Sequence, residues 1–161
     1  MTDAPTPRPP LPIGGWLVLL AIGIVLSPFV LLIQVVPLYS ALFSDSTYAL
    51  LTTPSSEFYH AMWKPLLWSE MIFNGLFICA AIWIAYLFFN RKERFPKAYT
   101  VIAVFSLVFI LGDAYAITLI LPNEPMFDPE TAKQLLRGVF TLCVWCPYVL
   151  ISQRSKDTFM L

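Results

Sequence analysis

Apolar and polar positions along the chain separate into long blocks rather than alternating at helical or strand period. Gly15–Val36 has no charged residue, and Gln34 is its only strongly polar side chain. Leu66–Phe89 holds one charge, Glu70; Ala98–Leu121 holds one, Asp113; Leu135–Ile151 holds one, Arg137. At ~1.5 Å of rise per residue, about 20 apolar residues cross a hydrocarbon core of roughly 30 Å. The last block is the shortest. Asp128-Pro129-Glu130 ahead of it has the order of a helix start, a capping carboxylate, then proline in the first turn, then an acid favoured by the helix dipole. The pattern therefore predicts four spanning helices at about 15–36, 66–89, 98–121 and 129–151. The fold class is all-α, an integral membrane four-helix bundle, over residues 13–161.

Composition agrees. The chain has 161 residues, of which 58% are hydrophobic and 12% charged, about half the charged share of a soluble domain. A water-soluble fold of this size has too little interior for so much apolar surface. The first block is too long for the apolar region of a cleaved signal peptide, and no small-x-small cleavage site clearly ends it.

Charge fixes the expected orientation. Arg8, the cluster Arg91, Lys92, Arg94 and Lys97, and Arg154 and Lys156 fall on one side, which takes seven of the ten positive residues. Lys64, Lys133 and Arg137 fall on the other. Basic flanks stay in the cytoplasm, so both termini are expected there. Formal charge is zero and the basic cluster is a short membrane-flanking loop, so nucleic-acid binding is not expected.

Residues 1–12 carry Pro5, Pro7, Pro9, Pro10 and Pro12 and are expected to form an extended or disordered cytoplasmic tail. The first outer loop, residues 37–65, mixes apolar residues with turn formers and is expected to be partly structured. His60 lies in it without clustered Cys or carboxylate partners, so no metal site is expected. Pro28 in the first helix and Pro147 in the fourth each remove a backbone donor and are expected to kink their helices.

Ionisable side chains within a span cost ~2.5–3.5 kcal/mol each at mid-helix and tend to be paired inside the bundle. Glu70 and Arg137 lie at similar shallow depth in the outer half. Asn74 and Asp113 lie below, and Asn74 shares a helix face with Glu70. The expected arrangement is a Glu70–Arg137 pair at the rim with Asn74 and Asp113 bonded beneath it. Such a cluster is either a static clasp that sets helix register, or a proton relay or small polar pocket.

Cys143-Val144-Trp145-Cys146 is a CxxC in the fourth helix. Membrane thiol–quinone oxidoreductases use that motif with a second cysteine pair near water, whereas this chain has only Cys79 besides. Packing cysteines are the better reading. Nucleotide-binding and hydrolase signatures are absent from the sequence, and no cofactor is expected.

Taken in order, Gly14-Gly15-Trp16-Leu17, Glu70 and Asn74, Phe95-Pro96, Asp113, Arg137, Trp145-x-Pro147-Tyr148 and the closing Ser152-x-Arg154-x-Lys156-x-Thr158-Phe159 resemble a family of small bacterial inner-membrane proteins catalogued as a domain of unknown function. The resemblance covers about residues 13–160, and its two terminal motifs are the specific ones. Cys143 and Cys146 depart from it, where members carry aliphatic or small residues. It implies four spanning helices and a bacterial cytoplasmic membrane, and brings no activity with it. The functional expectation is a non-enzymatic accessory or assembly protein. Its expected partners are the lipid bilayer, an unidentified membrane protein and, as an option, a further copy of itself. The rival readings are a small-solute or proton-coupled transporter using the polar cluster and, behind it, a thiol–quinone oxidoreductase.

Overall fold

A computed structural model describes residues 11–159. The proline-rich tail expected at 1–12 falls outside the described residues except for Leu11 and Pro12. The described chain is helical: α1 Trp16–Ser44, α2 Thr47–Thr52, α3 Trp63–Phe89, α4 Phe95–Ile120, α5 Pro129–Phe140, a π-helical turn Thr141–Trp145, α6 Cys146–Ile151 and α7 Gln153–Phe159. Four stretches are long and apolar enough to cross a membrane: α1, α3, α4, and the run from α5 through α6. In hydrocarbon each backbone N–H and C=O must find its partner within the segment, and a helix provides that.

The first span runs past its expected end. Pro37 lies inside α1, which continues to Ser44, so the helix is roughly 43 Å long at 1.5 Å per residue. A proline breaks one backbone bond, but a tertiary contact beyond it holds the helix on course: Asn74 Nδ2 of α3 donates to the Tyr39 hydroxyl at 3.0 Å. Pro28 is handled locally. It leaves the Ile24 carbonyl without its helical donor, and the Ser27 hydroxyl donates to that oxygen at 2.9 Å. In the fourth span the helix loosens to a π turn just before Pro147. The Cys146 amide there reaches back to the Thr141 carbonyl. The second and third spans also start earlier than the hydropathy blocks, at Trp63 and Phe95. The connection between the first two spans is shortened to residues 45–62, with α2 inside it.

Neighbouring spans pack in the order α1, α3, α4, α5, and the first and fourth do not pack along their length. The row closes at one end only. There Leu17, Leu20, Ile24, Ile84, Leu87, Phe88, Phe95, Val149 and Phe159 form one buried cluster, drawn from the beginnings of α1 and α4 and the ends of α3, α6 and α7. We call this the terminal end, and the opposite one the loop end. Below the spans, α7 plugs the terminal end with Ser155, Thr158 and Phe159 fully buried. Phe159 stacks on Phe95 with centroids 4.6 Å apart and tilts against Phe88 at 5.6 Å.

The two terminal motifs meet in this plug. Arg154 Nε donates to the Gly14 carbonyl at 2.9 Å, and the Leu11 amide donates to the Asp157 carbonyl at 3.0 Å. A side chain at position 14 would run into the Arg154 guanidinium, and Gly15 has φ +60°. Gly15 is favoured there for its backbone conformation, and Gly14 leaves room for the Arg154 guanidinium to sit against the backbone.

Candidate functional site

Glu70 and Asn74 of α3 and Asp113 of α4 lie in the loop-end halves of their helices, with Tyr39 of α1 beside Asn74. Glu70 of α3 and Asp113 of α4 are neighbours across the α3–α4 interface. Asn74, one turn along from Glu70, donates to Tyr39 of α1. The Tyr39 hydroxyl lies close enough to feel both carboxyl groups. Both carboxyl residues are half-buried, and Asp113 Oδ1 is enclosed with no hydrogen-bond donor among the described groups.

This differs from the arrangement expected of the sequence. Arg137 is exposed on α5, and among the described residues the single ion pair is Lys133–Glu130 at 3.9 Å. The expected Glu70–Arg137 pair therefore does not form; Glu70 meets Asp113 instead. Asn74 bonds Tyr39 rather than Asp113. The reason is helix order. The α3 face carrying Glu70 packs on α4, while α5 lies on the far side of α4, so depth alone was a misleading guide to pairing. Tyr39 was the missed member. Its signal was the apolar continuation Leu38-Tyr39 and Leu42-Phe43 beyond Pro37, which keeps a helical face facing α3.

The chemistry of the pair follows from donor and acceptor counts. An ionised carboxylate only accepts hydrogen bonds, so two carboxyl groups bond directly only when one carries a proton. Among the described residues neither carboxyl group forms an ion pair. Removing the proton sets two like charges against each other, worth ~4 kcal/mol for a separation of about 4 Å at an effective dielectric near 20. Opposing the repulsion, one to two turns further into the membrane, is a ladder of four phenylalanines between the same helices. Phe73 meets Phe109 at 4.6 Å and Phe105 at 5.8 Å, and Phe77 meets them at 5.7 and 5.9 Å. Such ring pairs contribute about 0.5–1.5 kcal/mol each. The two effects are of the same size.

Other candidate chemistry is dispersed. Cys79 and Cys143 are exposed, Cys146 is buried, and all three thiols are free; the Cys146 thiol lies against the Thr100 hydroxyl. Among the described residues no three His, Cys, Asp or Glu side chains gather where they could hold a metal ion. His60 Nδ1 accepts from the Met62 amide at 3.3 Å, a turn contact ahead of α3. An open groove in the first loop is lined by Ser46, Leu50, Thr53, Ser56, Glu57 and Phe58, with no cluster of charged groups in it.

At the start of the fourth span, outside the apolar run, Asp128 Oδ1 accepts from the Thr131 amide at 2.6 Å. That bond holds the Asp128 carboxyl below its ordinary pKa, because hydrogen bonds to the charged form favour it.

Neither the curated proteins nor the solved structures include a match to this chain. A family match does exist. It runs over residues 10–160 and so takes in both interlocked terminal motifs and the carboxyl pair, and it assigns the chain to the family described as Protein of unknown function (DUF2569), of which this protein is a member.

Proposed function

We propose that this protein is a non-enzymatic accessory protein of the bacterial cytoplasmic membrane, with both termini cytoplasmic, whose fit to a membrane partner responds to protonation of the Glu70–Asp113 pair. The observation that carries this reading is the proximity of the Glu70 and Asp113 carboxyl groups across the α3–α4 interface, neither of which forms an ion pair with a described residue. A static clasp would be built more cheaply from opposite charges; a shared proton makes the contact conditional. With the proton in place the two helices close at the loop end. Without it, repulsion comparable to the phenylalanine ladder parts them there, while the terminal end stays shut. A partner that packs on α3 and α4 would meet two different surfaces.

Infrared difference spectroscopy of the protein in lipid, with pH as the perturbation, tests the reading. The expected result is a protonated-carboxyl carbonyl band that disappears on raising pH and is lost or shifted in both Glu70→Gln and Asp113→Asn. Arg137→Gln should leave it unchanged. No carboxyl band at any pH compatible with the fold, in wild type or in either variant, would sink the proposal.

A second reading is favoured by the absence of packing between α1 and α5, which leaves the loop-end half open on one side. Proton-coupled transport of a small solute would use that opening and the same carboxyl pair. It requires flux in proteoliposomes that vanishes in Asp113→Asn; an accessory protein gives no flux.

A further inference from the structure

We propose that the terminal end carries a binding site for the phosphate-bearing headgroup of anionic phospholipid, with Arg91 at its centre. The first observation is a convergence that the chain order hides. Arg91, Lys92, Arg94 and Lys97 belong to the α3–α4 turn, whereas Arg154 and Lys156 belong to α7. The stacking of Phe159 on Phe95 and Phe88 brings α7 against that turn. The terminal end thus carries six described cations, one of which, Arg154, also donates to the Gly14 carbonyl, against two described acids, Glu93 and Asp157. The Asp157 carboxylate is engaged by Gln153 at 2.9 Å, and none of the six cations forms an ion pair with a described residue. Five of them are exposed, and Lys156 is half-buried.

The second observation is strain at Arg91. Helix α3 closes with Asn90 as its cap, the Arg91 amide donating to the Phe88 carbonyl at 3.0 Å and the Lys92 amide to the Leu87 carbonyl at 2.9 Å. That bond pattern places one residue in the left-handed conformation, where glycine is favoured. Arg91 occupies it at φ +50°, and a non-glycine residue there costs roughly 1–2 kcal/mol. A strained side chain is retained where something else uses it. At the tip of the turn this conformation presents a guanidinium, whose planar fork suits two phosphate oxygens.

The third is the apolar surround. Trp16, Trp83, Tyr86 and Phe89 lie at the same end with about half or more of their surface exposed, and amphipathic rings of this kind settle at the headgroup level. A lipid held here would lay its chains along these rings and its phosphate among the cations.

Native mass spectrometry of the full chain, released from detergent with equimolar phosphatidylglycerol and phosphatidylcholine, reads the preference directly. Wild type should retain phosphatidylglycerol preferentially, and neutralising a cation of the face should reduce that preference about five-fold. Arg91→Gly is the informative variant. It should keep or raise thermal stability, because it relieves the backbone, while losing lipid preference. Lys92→Gln with Arg94→Gln should lose more, and Lys64→Gln with Lys133→Gln at the loop end should lose nothing. An Arg91→Gly protein that keeps the wild-type preference would overturn the proposal, as would equal loss in the loop-end control. Displacement of phosphatidylglycerol by millimolar inorganic phosphate would also overturn it, since it would make this a site for free anion.

Discussion

The two ends of this bundle are held together by different forces. At the terminal end nine apolar side chains from five helices are buried in one cluster, and α7, which lies beyond the spans, closes it. Helix α7 is amphipathic and lies outside the four apolar stretches, so we assign its closure to the aqueous side, where burying Phe159 gains about 1.5–3 kcal/mol. At the loop end the helices meet inside hydrocarbon. Lipid tails are as apolar as the side chains, and association rests on packing and polar contacts. What packs α3 on α4 there is a ladder of ring pairs, with the Glu70 and Asp113 carboxyl groups beside it, for which we propose a shared proton. The lesson is that one end is closed by a buried apolar cluster, whereas the other rests on half-exposed ring pairs and, in our proposal, on the protonation of a carboxyl pair.

Breaking the strong end should cost most. Phe159→Ala is expected to destabilise the protein by about 3 kcal/mol or more, within the range for deleting a buried phenylalanine, as measured by steric trapping in bicelles. Phe73→Ala in the half-exposed ladder should cost less than half as much in the same assay. Equal costs would mean that the two ends are not distinct. The contrast sharpens at the motif junction. Gly14→Ala forces the Arg154 guanidinium off its carbonyl and should cost about 1 kcal/mol, the typical size for one hydrogen bond. Combined with Arg154→Ala it should add almost nothing, because the contact is already gone.

At the loop end the informative results are small. Arg137→Gln should change stability by less than about 0.5 kcal/mol, as an exposed side chain without a carboxylate partner does; a loss of several kcal/mol would restore the clasp that the structure lacks. The smallest effect concerns Asp128. Its folded-state pKa is depressed by the bonds to Thr131, so its contribution is present above the unfolded carboxyl pKa and fades as pH falls through the folded one. The protection factor of the Thr131 amide, its exchange rate relative to the intrinsic rate at the same pH, should accordingly fall below that range, and should already be low at neutral pH in Asp128→Ala.

Much of the fold was legible because the spans are blocks. A run such as Gly15–Val36 must be helical in a bilayer whatever its neighbours do, and the resemblance through the terminal motifs leads to the family to which the chain belongs. The candidate site was only half legible. Depth along a helix can be counted from its ends, which brought out Glu70, Asn74, Asp113 and Arg137 as a set. Which of them meet depends on which helix is the neighbour, and four apolar blocks carry little information about that order. Pro37 misled for a related reason: a local breaker was overruled by the Asn74–Tyr39 bond, which forms only once α1 and α3 are packed.

The sequence by itself determined the solvent of this protein, the number of spans and the scarcity of charge within them, because transfer of side chains to hydrocarbon is a property of each segment separately. Tertiary structure alone decided that Glu70 has Asp113 as its neighbour, that Arg137 is left aside, and that the first and last motifs lock around Gly14 and Arg154. Those are pairings, and a pairing depends on rotation and adjacency of helices, which side-chain packing sets after the spans are in place.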